Sequence, residues 1–350
     1  MNYVTQFDLG TVLPKNFYES KQFKQLRSSL ESSKQSYFLT GKAGTGKSTF
    51  VEYFRLNTKK NVMILAYTGI VSIKCRGRTI HSFFGYPHHI LKRKDCKILR
   101  KRDFLKSLNT LIIDEVSMVN PNLMDAIDRS LKVNRENDLP FGGVQMLFVG
   151  DVFQLSPIAK GKEKEVLDKM YPEGNFFYNS KWFKILNPKR IEFEKIFRQK
   201  DTQFIQKLEN IRRNQITNDV LDYFKNRVTG EQELKDGLVL LAPTNRKTFA
   251  VNHKKLQSID SPEFSYLGKV TGSFKPSDMM SEKNLKLKVG AQVMLTKNDP
   301  NDRWVNGTIG FIDKLEKDKI FVKVGKRSFL VEEALWEKYD YDLKDGKFEP

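Results

Sequence analysis

The sequence predicts an α/β fold in which helices pack on both sides of a largely parallel sheet. Wholly apolar runs occupy residues 62–66, 111–113 and 146–149, and a strand buried on both faces of a parallel sheet is apolar throughout. Such runs are followed by a loop and then by apolar residues at helical spacing, as at Leu123, Ile127 and Leu131. In an open sheet of this kind, ligands bind at the edge where the parallel strands end.

A glycine-rich loop joins a short apolar strand at 37–39 to a helix and fits the pattern Gly-x-x-x-x-Gly-Lys-[Ser/Thr]. Its glycines let several backbone N–H groups point at one centre, and the helix adds its positive N-terminal end, so the loop binds anions. We predict that Lys47 lies on the β- and γ-phosphates of a nucleotide and that Ser48 offers its hydroxyl to Mg²⁺. A glycine-rich surface turn is the alternative, and the flanking strand and helix argue against it. The residues predicted to line the nucleotide are Gly41, Ala43, Gly44, Thr45, Gly46, Lys47, Ser48 and Thr49.

Two consecutive carboxylates end the strand at 111–113, and an amide follows the strand at 146–149. Because side chains alternate along a strand, Asp114 and Glu115 are expected to point in different directions and to take two roles. We predict that Asp114 holds Mg²⁺, directly or through water, and that Glu115 orients and deprotonates the attacking water. Gln154 lies just past its strand, where it could sense a γ-phosphate. A strand-ending acidic turn without chemistry is the alternative for the carboxylates.

The composition limits the class of protein. The 350 residues suffice for two domains, and 61 Lys and Arg against 42 Asp and Glu give a formal net charge of +19, which favours a polyanionic partner such as a nucleic acid. The two cysteines, Cys75 and Cys96, fit neither a disulfide nor a zinc pattern, and a reducing compartment is the simple interpretation. We expect no signal peptide and no membrane span.

The pattern of predicted helices and strands divides the chain into three parts. We expect a first domain at 1–190 with a small basic insertion at about 85–105, and a second α/β unit at 191–284 that contains an apolar strand at 238–242. A β-rich domain is expected at 285–350 and resembles a small barrel. Its short apolar runs lie at 289–295, 308–312, 319–324 and 328–331.

Six segments together resemble the petite-integration-frequency (Pif) family of superfamily-one 5′-to-3′ DNA helicases, with RecD-like helicases as close relatives. They run in the family's order and cover the chain from about Tyr37 to Ile312. The glycine-rich loop at 41–48, which we call the phosphate loop, is common to a whole superfamily. His-Ser-Phe-Phe at 81–84 and Trp-Val-Asn-Gly-Thr at 304–308 are specific to a much narrower group of proteins. The segments are residues 40–49, 77–84, 113–118, 150–157, 197–199 and 303–310.

The resemblance implies tandem RecA-like domains, the second incomplete, and an SH3-like accessory barrel. It also implies ATP hydrolysis with Mg²⁺ and 5′-to-3′ movement on single-stranded DNA and at duplex junctions, in DNA repair, recombination, replication or telomere maintenance. Arg198 matches the family's first arginine finger, which would act on the phosphoryl group from the second domain, and Gln25 lies where related ATPases read adenine. The residues that match regions lining the DNA path are Thr68, Gly69, His81, Ser82, Thr244, Asn245 and Asn306.

The sequence departs from the family pattern after the predicted barrel. A Thr-Ile-His-Lys-Ser-Gln-Gly-like motif and a motif ending in Ser-Arg have no counterpart in the 350 residues. They would complete the second sheet and supply a second arginine finger, so we expect a truncated form that binds ATP and DNA, hydrolyses slowly and does not unwind.

Two other functions remain open at this point. One is an ATP-dependent single-stranded-DNA-binding module without unwinding activity. The other is a small-molecule kinase, which requires neither the charge of +19 nor Arg198. We expect a monomer located with DNA, in the cytoplasm or nucleoid for a bacterial or phage protein and in the nucleus or mitochondrion for a eukaryotic one.

Overall fold

In a computed structural model of the protein, six parallel strands form a sheet in the order β3-β2-β4-β5-β1-β6. The strands are β1 (Tyr37–Gly41), β2 (Val62–Ala66), β3 (Arg78–Thr79), β4 (Thr110–Asp114), β5 (Gln145–Val149) and β6 (Lys189–Phe193). Every neighbouring pair in this sheet is parallel, as the wholly apolar strands predict. The structure describes residues 15–67, 78–87, 89–100, 102–159, 161–228, 238–271, 279, 281–297, 299, 301, 303–304, 307–335, 342–344 and 347–349.

Helices alternate with these strands along the chain. They are α1 (Lys15–Tyr18), α2 (Lys21–Ser32), α3 (Lys47–Asn57), α4 (Ile80–Phe84), α5 (Arg102–Ser107), α6 (Pro121–Arg135), α7 (Gly161–Met170), α8 (Lys181–Leu186) and α9 (Thr202–Arg212). The start of α6 is determined locally, because the Asn120 side chain accepts a hydrogen bond from the Leu123 amide at 2.8 Å and Pro121 occupies the first turn. None of the described helices combines the length and apolar composition needed to cross a membrane.

Both faces of the sheet are buried. On one face, Leu111 and Ile113 of β4 join the apolar stripe of α6 in the main hydrophobic cluster. On the other, Ile112 is equally inaccessible. An aromatic cluster packs near β6, where Phe17 lies edge-on to Phe193 with ring centroids 5.9 Å apart. Burial on both faces explains why the middle residues of β2, β4 and β5 are apolar.

The chain divides into two compact units, one containing Leu13–Leu221 and the other Asp222–Glu337. The remaining helices and strands of the chain are α10 (Asn218–Lys225), α11 (Asn245–Gln257), β7 (Phe264–Leu267), β8 (Asn284–Leu287), β9 (Gln292–Met294), β10 (Ile309–Glu316), β11 (Lys319–Val324), β12 (Arg327–Val331), β13 (Asp342–Lys344) and β14 (Lys347–Glu349). In the second unit, β9 to β12 form a four-stranded antiparallel sheet in the order β12-β11-β10-β9, and β7 pairs with β8.

The predicted fold class is confirmed as a parallel sheet flanked by helices with a small antiparallel β region. Two details differ. The predicted boundary at 190 falls inside β6, which pairs with β1 from Tyr37↔Lys189 to Gly41↔Phe193, so the first unit continues to Leu221. The apolar run at 238–242 is not a strand, because no described strand pairs with it, and Leu241 is 91% exposed.

Candidate nucleotide-binding site

The candidate site lies at the carboxyl edge of the parallel sheet, where β1, β4 and β5 end. The connection from β1 leads past β5 and β4 to β2, whereas the connection from β5 leads past β1 to β6. The chain therefore reverses its winding direction between β1 and β5. Open α/β sheets bind ligands in the crevice at such a switch point.

The glycines of the phosphate loop adopt backbone conformations that other residues avoid. Gly44 has φ of 77° and Gly46 has φ of 92°. A Cβ at Gly46 would lie 2.4 Å from the ring of Phe17, and one at Gly44 would lie 2.6 Å from the Cβ of Arg198. The loop therefore needs glycine at both positions for its curvature and for the close approach of neighbouring chain segments.

The Lys47 ammonium is anchored at the inner side of this loop. Its Nζ donates to the carbonyl oxygens of Gly41 at 2.7 Å and Lys42 at 3.0 Å. Burial lowers the pKa of the Lys47 amine from its ordinary value of 10.5, although the carboxylates of Asp151, Glu115 and Asp114 oppose this change. Three carboxylates thus act on one ammonium, and the structure brings the predicted phosphate contact together with the predicted acidic pair.

The first turn of α3 adds a second anion-binding feature. Hydrogen bonding within the helix begins where the Phe50 amide donates to the Gly46 carbonyl at 2.9 Å. The amides of Lys47, Ser48 and Thr49 precede that bond and point beyond the helix end, as the first amides of any α-helix do. Together with the helix dipole, they make this end suited to phosphate oxygens.

The two predicted acidic residues are held differently. Asp114 is the last residue of β4 and is 2% exposed, and its Oδ1 accepts a hydrogen bond from the Glu115 amide at 2.9 Å. Glu115 has left the strand and adopts a left-handed conformation with φ of 51°, which is uncommon for residues other than glycine. The direction of Glu115 is therefore set by this turn rather than by alternation within the strand.

The donor set fits Mg²⁺. Ser48 supplies a hydroxyl in the first turn of α3 and Asp114 supplies a carboxylate at the end of β4. Among the described residues, no group of three or more His, Cys, Asp and Glu could form a metal site by itself. Mg²⁺ is commonly bound through one or two protein oxygens together with substrate phosphates and waters, which matches this arrangement.

Asp151 and Arg212 belong to the site, and sequence reasoning passed over both. Asp151 follows β5 and is 1% exposed, and two nitrogens of Arg212 donate to its carboxylate at 2.7 and 3.0 Å. The Gln154 Nε2 donates to the same carboxylate at 3.2 Å. Burial opposes ionisation of Asp151, but the bonds from Arg212, the Phe153 amide and Gln154 lower its pKa below the ordinary value. The position of Asp151, two residues past the end of β5, could have indicated it, whereas nothing local in the sequence indicates Arg212.

Arg198 lies directly beside the phosphate loop. The Phe197 amide donates to the Gly44 carbonyl at 2.8 Å, and the Phe197 ring packs edge-on against Phe17 at 5.3 Å. The Arg198 side chain is exposed. The resemblance implied that this arginine comes from a second domain, but it belongs to the same compact unit as the loop, because the preceding strand β6 is part of the first sheet.

The remaining predicted contacts are less tightly held. Gln25 is exposed on α2, and no hydrogen bond among the described residues joins it to the phosphate loop, so its adenine contact stays a prediction. His81 lies in α4, and the Ser82 hydroxyl accepts from Arg78 at 3.2 Å. Thr244 caps α11 through its hydroxyl. Predictions for Thr68, Gly69 and Asn306, and for the side chain of Asn245, fall outside the described residues.

Comparison with known proteins assigns two parts of the chain. The model of the PIF1-like helicase family matches residues 18–221, and that of the DNA helicase Pif1 2B domain matches residues 277–315. The ATP-dependent DNA helicase RRM3 of Saccharomyces cerevisiae is 34% identical over 304 residues, which cover 82% of this chain and 41% of RRM3. The chain thus spans well under half the length of that relative.

Solved structures agree with this assignment. The crystal structure of Bacteroides sp Pif1 in complex with ADP-AlF4 is 34% identical, covers 94% of this chain and 78% of its own, and superposes with a TM-score of 0.85. Bacteroides Pif1 bound to ssDNA has the same identity and coverage, with a TM-score of 0.66. The six-stranded sheet is accordingly RecA-like. The chain belongs to the PIF1-like helicase family.

Proposed function

We propose that the chain hydrolyses ATP with Mg²⁺ and couples hydrolysis to 5′-to-3′ movement on single-stranded DNA, as a helicase or translocase. The observation that carries this proposal is the anchored Lys47 ammonium, on which the carboxylates of Asp114, Glu115 and Asp151 all act. Such a centre holds a phosphate chain and activates water beside it. The structure of the related Bacteroides sp Pif1 in complex with ADP-AlF4 supports the same chemistry.

The residues divide the reaction among them. Lys47 and the first amides of α3 hold the β- and γ-phosphates, and Glu115 accepts a proton from the attacking water, which Gln154 helps to orient. Ser48 and Asp114 would hold Mg²⁺, which neutralises charge on the phosphate oxygens when bound. Arg198 stabilises charge on the transferring phosphoryl group from the rim of the phosphate loop.

The proposed partner is single-stranded DNA, including its junctions with duplex DNA. The net charge of +19 supports a polyanion, and a relative is described as bound to ssDNA. The basic insertion supports it as well, because Asn122 and Asn134 of α6 bind its backbone and leave its cations exposed. The exposed cations are Lys92, Arg93, Lys94, Lys97 and Arg100.

The proposal extends to the setting of the activity. We propose that the protein acts as a monomer on chromosomal or phage DNA, in the nucleoid of a bacterium or the nucleus or mitochondrion of a eukaryote, in repair or recombination. The division into a first RecA-like domain, the start of a second and an SH3-like accessory domain belongs to the same proposal, with the first extended to Leu221.

An ATPase titration with single-stranded DNA tests the proposal. We expect turnover that is slow without DNA and that rises as a single-stranded oligonucleotide is added. DNA binding with feeble, DNA-independent turnover would instead favour the non-unwinding module, and turnover indifferent to DNA would favour a small-molecule kinase. Strand displacement on a duplex with a 5′ tail, compared with a 3′-tailed duplex, then tests whether the chain unwinds DNA and in which direction it moves.

A further inference from the structure

Arg212, the last residue of α9, is a charged side chain that the fold largely buries. It is 14% exposed, and its partner Asp151 is 1% exposed. Nη2 of Arg212 donates to Asp151 Oδ1 at 2.7 Å, and Nε donates to Oδ2 at 3.0 Å. Two parallel bonds of this kind fix the plane of a carboxylate as well as its position. The guanidinium also lies 4.3 Å from the centre of the Phe153 ring, so its own orientation is restricted.

The Asp151 carboxylate, which Arg212 fixes, determines the orientation of the Gln154 side-chain amide. Gln154 Nε2 donates to Asp151 Oδ2 at 3.2 Å. An ionised carboxylate only accepts hydrogen bonds, so the amide nitrogen of Gln154 must face Asp151 and its carbonyl oxygen must face away. A carbonyl oxygen can accept a hydrogen bond from water, and this is the group needed to orient a water for attack on a terminal phosphate.

On its other side, Arg212 connects to the phosphate loop. Its Nη1 donates to Glu209 Oε1 at 3.1 Å, and the Lys42 ammonium lies 3.5 Å from Glu209 Oε2. The carbonyl of Lys42 in turn accepts from Lys47 Nζ at 3.0 Å. Polar contacts therefore link the Lys47 ammonium, through the backbone carbonyl and the side chain of Lys42 and through α9, to the amide of Gln154.

We propose that Arg212 is a positioning residue for ATP hydrolysis, which acts through Asp151 to present the carbonyl oxygen of Gln154 to the attacking water and through Glu209 and Lys42 to tie that orientation to the phosphate loop. We call Lys42, Asp151, Gln154, Glu209 and Arg212 the Arg212 cluster. The inference rests on the proposed ATPase function. It adds a residue of α9 to the group that controls the chemical step.

A purely structural role is the competing explanation. The Arg212–Asp151 pair joins α9 to the end of β5, and breaking a buried ion pair destabilises a protein whether or not it serves catalysis. A fall in the melting temperature alone therefore does not discriminate. A positioning role lowers kcat while the KM for ATP is retained, because the phosphate contacts of Lys47 and α3 stay in place.

The test compares Arg212→Gln and Asp151→Asn with the parent chain in steady-state ATP hydrolysis at saturating single-stranded DNA. We expect kcat to fall about ten- to a hundredfold in each variant, the range typical when a residue that orients a direct ligand is lost. The KM for ATP is expected to stay within about threefold of the parent value. Arg190→Gln is the matched control, since Arg190 is an exposed arginine of β6 that pairs with Glu192, outside the Arg212 cluster, and its kcat should equal that of the parent.

A double-mutant cycle tests whether Arg212 affects kcat through Gln154. If Arg212 acts through Gln154, Arg212→Gln combined with Gln154→Ala should have the kcat of Gln154→Ala alone. If the double variant instead lost kcat by the product of the two single losses, the proposal would be overturned. It would also be overturned if Arg212→Gln folded and kept the kcat of the parent chain. If Arg212→Gln fails to fold, the nearly isosteric Asp151→Asn decides by the same cycle. A parent chain without DNA-stimulated turnover would instead contradict the proposed function, so the two failures are distinguishable.

Discussion

Two sets of side chains in this chain are fixed in different ways. One set lies at the carboxyl edge of the parallel sheet, where β1, β4 and β5 end, which we call the nucleotide edge, and the other comprises the predicted DNA contacts. At the nucleotide edge, functional side chains are fixed by several partners, as Lys47 is by two carbonyls and Asp151 by Arg212. The hydroxyls of the predicted DNA contacts Ser82 and Thr244 instead accept local hydrogen bonds near a helix start, from Arg78 and from the Lys247 amide.

This difference follows from the two binding tasks. A phosphoryl-transfer site must present donors at fixed positions, because catalysis depends on preorganised charge. A path for single-stranded DNA can tolerate movement, because backbone phosphates and base faces are alike from one nucleotide to the next. The comparison predicts large effects of single substitutions at the nucleotide edge and small ones along the DNA path.

The largest effect is expected from Glu115→Gln. The amide keeps the shape of the side chain but cannot accept a proton from water, so kcat should fall by about a hundred- to ten-thousandfold while ATP binding is retained. Steady-state hydrolysis and a nucleotide titration measure the two quantities. Glu136→Gln is a suitable control, because Glu136 has the same φ of 51° at the end of α6. Turnover near the parent rate in Glu115→Gln would exclude this residue as the base.

Lys47→Ala is expected to prevent productive nucleotide binding and to leave the fold intact. The substitution removes a charge-assisted contact to phosphate, so the affinity for ATP should fall about a hundredfold or more. A fluorescent ATP analogue titrated against both proteins measures the loss. Lys59→Ala, at an exposed lysine just beyond α3, should bind like the parent. Equal affinity of Lys47→Ala and the parent would contradict the assignment of the loop.

Gly44→Ala tests the contact between the phosphate loop and Arg198. The new Cβ would lie 2.6 Å from the Arg198 Cβ on a backbone with φ of 77°, so either the loop or the Arg198 segment must move. Displacement of about 1 Å can reduce turnover about a hundredfold. Gly325→Ala has comparable backbone strain, with φ of 61°, but open space around it, and should leave kcat unchanged. Equal kcat in both variants would show that Arg198 does not depend on this contact.

The Lys47 amine predicts a pH dependence of nucleotide binding. Its pKa in the unliganded protein is lowered by burial, and phosphates should raise it again. The complex then holds the proton more tightly than the free protein does, so binding takes up a proton and affinity falls as pH rises through the lowered pKa. Calorimetry in buffers of different ionisation enthalpy measures the uptake at alkaline pH. Uptake that persists in Lys47→Ala would assign the proton to another group.

The smallest single effects are expected along the DNA path. His81→Ala and Thr244→Ala should each weaken single-stranded DNA binding less than about tenfold, whereas raising the salt from about 50 to 200 mM should weaken it far more. Fluorescence anisotropy with homopolymer and mixed-sequence oligonucleotides measures both. A flat salt dependence, or a strong preference for one sequence, would contradict an electrostatic path.

The predictable parts of the site are those that short segments determine. The phosphate loop needs only its glycines and the adjoining strand and helix, and the end of β4 is marked by Asp114 itself. Phe17 and Arg212 could not be predicted, because their roles depend on contacts with residues distant in sequence, Gly46 and Asp151. The same holds for β6, which the sequence pattern places at the start of a second α/β unit near residue 190, although its hydrogen bonds are made to β1.

Binding of a phosphoryl-transfer analogue tests the central claim most directly. If the nucleotide edge is built for hydrolysis, ADP with aluminium fluoride and Mg²⁺ should bind at least about a hundredfold more tightly than ADP with Mg²⁺, because a catalytic site is complementary to its transition state. Arg198→Ala and Gln154→Ala should lose most of that gain and keep the affinity for ADP. Equal affinity of the parent chain for ADP with and without aluminium fluoride would contradict the account.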